Sequence, residues 1–245
     1  MQDKKSYDSY SCIAPIYDHL MAHVDYKGWA GYIVQLLEEN GVQQGDILDA
    51  GCGTGAMMGY FESYGFRVSG FDLSYAMLRQ AQQRGFCVWQ GDLLDQPAKN
   101  HYDAVVCLYD TVHYLKEEEL TPFFNEVIQV LKPDGIFIFD AITETLVRSY
   151  WANYTEQDAH EQWEYLRRSY YDAQARCQHT DFEVMVDGKD ACFETHRQWI
   201  HPLETISKKL HEAGFKSIGC YEELTMDHGG EESDRVHYVV KKERV

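Results

Sequence analysis

The chain is predicted to be an α/β protein: a doubly wound sheet with a small antiparallel β cap inserted after strand five. Three observations carry that expectation. A short strand-like run, Asp46 to Ala50, breaks into the glycine-dense turn Gly51-Cys52-Gly53-Thr54-Gly55. From there to about residue 142, strand-like runs alternate with amphipathic, helix-length segments, as in βαβ units. The alternation then stops. Two period-two runs, Thr180 to Val186 and Ala191 to Ile200, follow across Asp187-Gly188-Lys189, which is a hairpin signal.

In chain order, Ser9 to Met21 forms a helix or near-helix that Pro15 must break, because proline lacks an N–H and locks φ. A second helix runs from about Lys27 to Asn40, with Trp29, Ile33, Leu36 and Leu37 on one face and Asn40-Gly41 ending it. Tyr17 and Trp29 are either core residues or a lid of rings over a pocket. The strand Asp46 to Ala50 enters the glycine turn, and a helix follows from about Ala56 to Tyr64. Glycine permits positive φ and close approach of the backbone to a ligand. The spacing Gly51, Gly53, Gly55, with Asp49 upstream, is tighter than a dinucleotide G-x-G-x-x-G, and no P-loop Lys-Ser/Thr follows. This D-x-G-x-G-x-G pattern resembles the first motif of the class I S-adenosylmethionine (SAM) methyltransferases. That resemblance implies that Asp49, Ala50, Gly51 and Gly53 border the methionine and ribose parts of SAM.

Strand two, Arg67 to Phe71, ends in Gly70-Phe71-Asp72-Leu73-Ser74. The Asp72 carboxylate can accept from both ribose hydroxyls without competing donation. Its alternative role is to cap the next helix, for which Ser74 is better placed. That helix runs to Arg84 with Met77 and Leu78 inward, and Leu73 and Met77 are expected at the cofactor. Strand three, Cys87 to Gln90, precedes Gly91-Asp92-Leu93-Leu94. Asp92 sits where an adenine amino group needs an acceptor, and Leu93 where the ring needs an apolar face. Strand four, Tyr102 to Leu108, is apolar without a break from Ala104 on, as a strand buried on both faces requires. Its end, Leu108 to Leu115, borders the ligand crevice by the switch-point rule. His113 is the histidine nearest that edge, either a base and substrate contact or a structural residue. A helix from Lys116 to Val130, a turn Lys132 to Gly135 and strand five, Ile136 to Asp140, follow. After the cap, a helix starts at His201-Pro202-Leu203-Glu204 and ends near Gly214. Strands Lys216 to Tyr221 and Arg235 to Lys241 close the sheet across an acidic loop.

Composition narrows the class. The 245 residues, 44% apolar, suit one domain with an insertion: a helical lid (1–45), a core (46–142), a cap (143–200) and a C-terminal part of the core (201–245). No apolar run reaches membrane-span length, and the start of the chain does not resemble a signal peptide. Seven cysteines without a C-x-x-C pair point to reduced thiols and a cytoplasmic protein, with Cys52, Cys87 and Cys107 as small core residues. A net charge of −18 disfavours nucleic acid as a partner. The 11 histidines and 7 cysteines show no metal-ligand spacing, so no metal is expected.

Together the motifs resemble a small class I SAM-dependent methyltransferase over nearly the whole chain. Ile47–Gly55, Gly70–Ser74, Gly91–Leu94, Ala104–Leu108 and Leu131–Asp140 match the family's motifs in order. The likeness implies a Rossmann-like, seven-stranded sheet with its last strand antiparallel, a count that the strands above supply. Ile16-Tyr17-Asp18, Asp25–Trp29, Cys107–Leu115 and Glu194-Thr195-His196-Arg197 further resemble small-molecule N-methyltransferases, including deoxyaminosugar N,N-dimethyltransferases and glycine N-methyltransferase. That group implies Tyr17 at the cofactor or substrate and a base-like histidine after strand four. Here His113 lies one position before the best-aligned residue, Tyr114. Glu194, His196 and Arg197 then frame an acceptor site, with Arg197 gripping an anionic group, or else are merely alternating residues of a sheet. The expected activity is methyl transfer from SAM, with S-adenosylhomocysteine as product, to a small-molecule acceptor, chiefly an amine. The competing readings are a tRNA or protein methyltransferase and a SAM-binding module without catalysis. An NAD oxidoreductase is disfavoured by the glycine spacing. Either a monomer or a homodimer is compatible with the sequence.

Overall fold

The computed structural model describes residues 9–95 and 101–242, apart from the side chains at 217 and 218. Strands β1 (Asp46–Ala50), β2 (Arg67–Asp72), β3 (Cys87–Gln90), β4 (Tyr102–Cys107) and β5 (Leu131–Ile142) come first. The cap follows as β6 (Asn153–His160), β7 (Trp163–Asp172), β8 (Cys177–Val186) and β9 (Cys192–Trp199). The chain then returns through β10 (Phe215–Glu222) and β11 (Arg235–Lys242). The large sheet has seven strands in the order β10-β11-β5-β4-β1-β2-β3. Its β1 to β5 pairs are parallel, and β11 runs antiparallel to both neighbours. β5 starts before the expected Ile136, because Asp134 takes a left-handed φ of 65° and the anticipated turn becomes an irregularity within the strand.

Side chains of a strand alternate between faces, so β5 feeds two cores. Phe137 and Phe139 pack with Phe123, Phe124, Leu203, Ile206 and Leu210. Ile136 and Ile138 pack on the other face with Ile33, Leu36, Leu37, Met58 and Phe61. Burying each such ring is worth about 2–3 kcal/mol. The helices that cover these faces are α2 (Tyr26–Glu39), α3 (Met58–Ser63), α4 (Tyr75–Gln83), α5 (Glu117–Val130) and α6 (Leu203–Glu212). Pro15 has the expected effect: a short 3-10 turn, Ala14–Ile16, precedes a single α turn, α1 (Tyr17–Leu20).

The cap is a four-stranded antiparallel meander, β6-β7-β8-β9. The predicted hairpin is its last pair, turned by Asp187 and Gly188 at φ 53° and 66°. Its inner face carries Tyr165, Phe182 and Val184, which pack against Cys12, Ile13 and Ile16 of the N-terminal segment. Two cysteine expectations are corrected here. Cys12 and Cys192 form a disulfide across 180 residues, a pairing that local spacing cannot reveal. Cys87 is exposed, whereas Cys52 and Cys107 are buried. The disulfide removes the support that reduced thiols lent to a cytoplasmic location. Among the described residues no helix is long and apolar enough to cross a membrane.

Candidate active site

A cavity of about 990 Å³ opens at the C-terminal edge of β1, β2 and β4. It lies at the upper end of the usual range for ligand pockets, ~300–1,000 Å³. The glycine turn forms part of its wall. Gly51 holds φ +83°, and a Cβ there would sit 2.5 Å from Thr111 Cγ2, so the backbone approaches where no side chain fits. Gly51 and Cys52 donate their N–H groups to Phe71 O, which ties the turn to the end of β2. Asp72 accepts from Gly53 N at 2.9 Å and from Ser74 N at 2.8 Å. Ser74, as expected, caps α4 by accepting from Met77 N. Burial pushes the Asp72 carboxyl up, and its two backbone donors pull it back down. Burial, with Asp72 adding its charge, pushes Asp49 up to about 7.

Of the cofactor residues expected from sequence, Tyr17, Asp49, Gly51, Gly53, Asp72, Leu73, Met77, Asp92, Leu93 and Leu108 all line this cavity. Ala50 does not; its side chain is in the core. Trp29 does not either. It is buried behind Tyr109, with ring centroids 4.5 Å apart. Tyr109 itself lines the cavity and, like Asp110, is left-handed, at φ 59° and 62°. Such backbone costs about 1–3 kcal/mol per residue and persists only when its surroundings hold it. Here Arg235, at the start of β11, pairs with both Asp110 and Asp140. Its guanidinium stacks over Trp29 at 5.3 Å and Tyr109 at 5.9 Å. Trp29 therefore props a cavity wall without forming it.

The N-terminal segment supplies Ser9, Tyr10, Ser11 and Tyr17 to the cavity. Asp18 fastens it to the glycine turn by accepting from Thr54 Oγ1 at 2.8 Å and pairing with Arg84. Tyr26 adds a ring from α2, and Tyr114 another from the turn after β4.

His113 requires correction. It is fully buried and absent from the cavity wall. Its Nδ1–H donates to Trp199 O at 2.7 Å, and its Nε2 accepts from Ile142 N at 2.9 Å. Both nitrogens are thus committed to backbone, and none remains to take a proton from a substrate. Burial lowers its pKa to about 4. The residue staples the end of β4 to the ends of β5 and β9, and so sets the position of Tyr114. Arg197 is also corrected. It lies on the exposed face of β9 and is absent from the cavity wall, while Glu194 and His196 lie on the buried face. Glu194 and His196 are absent from the cavity wall but reach it through other side chains. The Tyr10 and Tyr114 hydroxyls share a hydrogen bond at 2.8 Å, and Tyr114 Oη shares another with His196 Nδ1 at 2.8 Å. His196 Nε2–H donates to Glu194 Oε1 at 2.7 Å, and Cys12 N–H donates to Glu194 Oε2 at 2.7 Å. Sequence reasoning missed Tyr10, Tyr26 and Arg235. Only the tyrosine-rich start of the chain hinted at the first.

Comparison with known proteins decides the family. Residues 47–135 match the model of a methyltransferase domain. The protein YqeM of Bacillus subtilis (strain 168), named only provisionally as a methyltransferase, is 30% identical over 96% of this chain and 98% of its own length. The chain belongs to the SAM-dependent methyltransferases. The dTDP-3-amino-3,4,6-trideoxy-alpha-D-glucopyranose N,N-dimethyltransferase of Streptomyces venezuelae is 30% identical over 52% of this methyltransferase and 56% of its own length. A SAM-dependent methyltransferase from Clostridium acetobutylicum shares the fold, with a TM-score of 0.81 at 24% identity, over 97% of this chain and all (100%) of its own.

The methyltransferase's own residues fit SAM. Carboxylates stand at the ends of β2 and β3, apolar Leu93 and Met77 sit beside them, and Gly51 leaves room where a Cβ is excluded. Asp72 would hold the ribose, Asp92 the adenine edge, and Asp49 with the glycine turn the amino-acid part. When bound, SAM supplies a methyl group on a sulfonium whose leaving group is a neutral thioether. The protein therefore has no leaving group to protonate, and its residues serve to align the acceptor and exclude water.

Proposed function

We propose that this methyltransferase methylates the nitrogen of a small-molecule amine. The observation that carries the reading is the ring of phenols. Tyr10, Tyr17, Tyr26, Tyr109 and Tyr114 all face the cavity beside the cofactor acids. Aromatic faces attract alkylammonium groups, by about 0.5–2 kcal/mol each. They also exclude water from the reacting pair. The N,N-dimethyltransferase relationship supports an amine, and a chain of charge −18 disfavours RNA as acceptor.

Two measurements test this. Thermal unfolding with SAM, S-adenosylhomocysteine or NAD separates the cofactors, because a ligand at one hundred times its Kd adds about 2.7 kcal/mol. Stabilisation is expected from the first two and not from NAD. Label transfer from [methyl-14C]SAM to matched panels of small amines, alcohols and carboxylic acids, and to bulk tRNA, identifies the acceptor class. Label on the amines is expected. Label confined to hydroxyl oxygen or to RNA overturns the amine reading.

A further inference from the structure

The line of hydrogen bonds from Tyr10 to Glu194 is not needed to hold SAM, yet it joins the cavity to a buried histidine–carboxylate pair. We propose that Tyr10, Tyr114, His196 and Glu194 form a proton relay that removes the acceptor's proton as the methyl group is transferred. The proposal rests on the amine reading only for the identity of the group that gives up the proton.

The direction of the line follows from its far end. A carboxylate only accepts. Glu194 accepts from Cys12 N–H on one oxygen and from His196 on the other. His196 Nε2 therefore carries the hydrogen, and in the neutral imidazole Nδ1 is the acceptor, filled by the Tyr114 hydroxyl. Tyr114 can then only accept from Tyr10. The last acceptor in the line is the oxygen of Tyr10, a residue of the cavity wall. The Glu194 and His196 side chains are 0% and 4% exposed, so protons have no direct path to solvent there. This is the arrangement by which a carboxylate orients an imidazole and stabilises its charged form for a neighbouring hydroxyl. Tyr10 is also held in a left-handed backbone, at φ 65°, with its ring centroid 4.7 Å from that of His196 in an edge-to-face arrangement. Phe182 of β8 packs on His196 and adds no charge. Asp72, in the cavity wall, and Asp110, paired with Arg235, both act on Tyr10 through their charge.

The step balances. One proton of the substrate ammonium passes to Tyr10 Oη, the Tyr10 proton to Tyr114 Oη, and the Tyr114 proton to His196 Nδ1. The imidazolium so formed rests against the Glu194 carboxylate. The lone pair left on nitrogen forms the N–CH₃ bond, and the C–S pair leaves on sulfur as a neutral thioether. After product release the proton returns along the same path to water.

The test uses two readouts. In 15N-histidine-labelled protein saturated with S-adenosylhomocysteine, His196 is expected to be Nε2-protonated with an acceptor-type Nδ1. The Tyr114→Phe variant is expected to move that Nδ1 resonance while retaining the thermal shift with S-adenosylhomocysteine. A proton on Nδ1, or an Nδ1 resonance unmoved in Tyr114→Phe, overturns the relay. The second readout is the pH profile of methyl transfer to ethanolamine as probe amine. Tyr10→Phe and Tyr114→Phe are expected to lose about 100-fold at pH 7. They should recover toward the parent rate as the pH approaches the amine's own pKa. A loss that stays constant at every pH overturns the relay and leaves the amine reading standing. With the expected tautomer but no amine methylated by the parent protein, the relay stands and the amine reading fails.

Discussion

Asp72 performs two tasks with one carboxylate: its oxygens hold Gly53 N–H and Ser74 N–H while the group faces the cavity. An asparagine there has a single carbonyl oxygen, so its NH₂ would meet one of those N–H groups head-on. Asp72→Asn is expected to cost about 1–3 kcal/mol of stability and to weaken SAM binding more than tenfold, read by denaturant titration and calorimetry. Asp49 makes a separate, pH-dependent contribution. Its carboxyl is pushed up to about 7 by burial, with Asp72 adding to the shift. In the empty protein this raised pKa favours the protonated form, so its share of stability falls as pH rises from the ordinary carboxylate range toward 7. A ligand bearing a sulfonium and an ammonium favours the ionised form, so binding must release a proton. SAM affinity is expected to rise between pH 5.5 and 7.5, by at most about tenfold per pH unit. Calorimetry in buffers of different ionisation heat checks this, and Asp49→Asn should flatten the dependence. These acids were legible in the sequence because each stands at a strand end, where topology alone fixes its neighbourhood. Tyr10 and Arg235 were not, because their partners lie 95 to 125 residues away along the chain.

At the level of elements, the core strands could be read from their apolar runs, and the hairpin of β8 and β9 from Asp187-Gly188. β6 and β7 escaped because their side chains are mostly polar or half-exposed, and neither period two nor period 3.6 stands out in them. The disulfide from Cys12 to Cys192 joins the N-terminal segment to β9 and closes a loop of 180 residues. By chain entropy such a closure contributes about 5 kcal/mol. Reduction is expected to lower the unfolding midpoint and to open the stretch near Cys12 to protease before the core. Mass mapping of early fragments from limited proteolysis checks the order. Cleavage that begins in the core would show that the segment is held by its packing against Phe182 and Val184 rather than by the bond. The pairing of Arg235 with Asp110 and Asp140 joins elements in the same way. Truncating Arg235 to Ala leaves buried carboxylates without their cation and is expected to cost about 3–5 kcal/mol, measured by chemical denaturation.

For the molecule as a whole, the position of β11 has a consequence for how the chain comes to exist. The last strand in chain order among the described residues, β11, lies between β5 and β10, in the interior of the large sheet. Until it arrives, β5 presents a row of bare peptide groups beside Phe137 and Phe139, a template for any stray strand. The large sheet therefore cannot close until β11 has been made, and a chain that stops short of β11 keeps that edge open. A chain ended after Asp234 is expected to sediment as aggregates rather than persist as a slightly shortened enzyme. Adding residues 235–245 back as a separate peptide during refolding should rescue part of it into the soluble fraction.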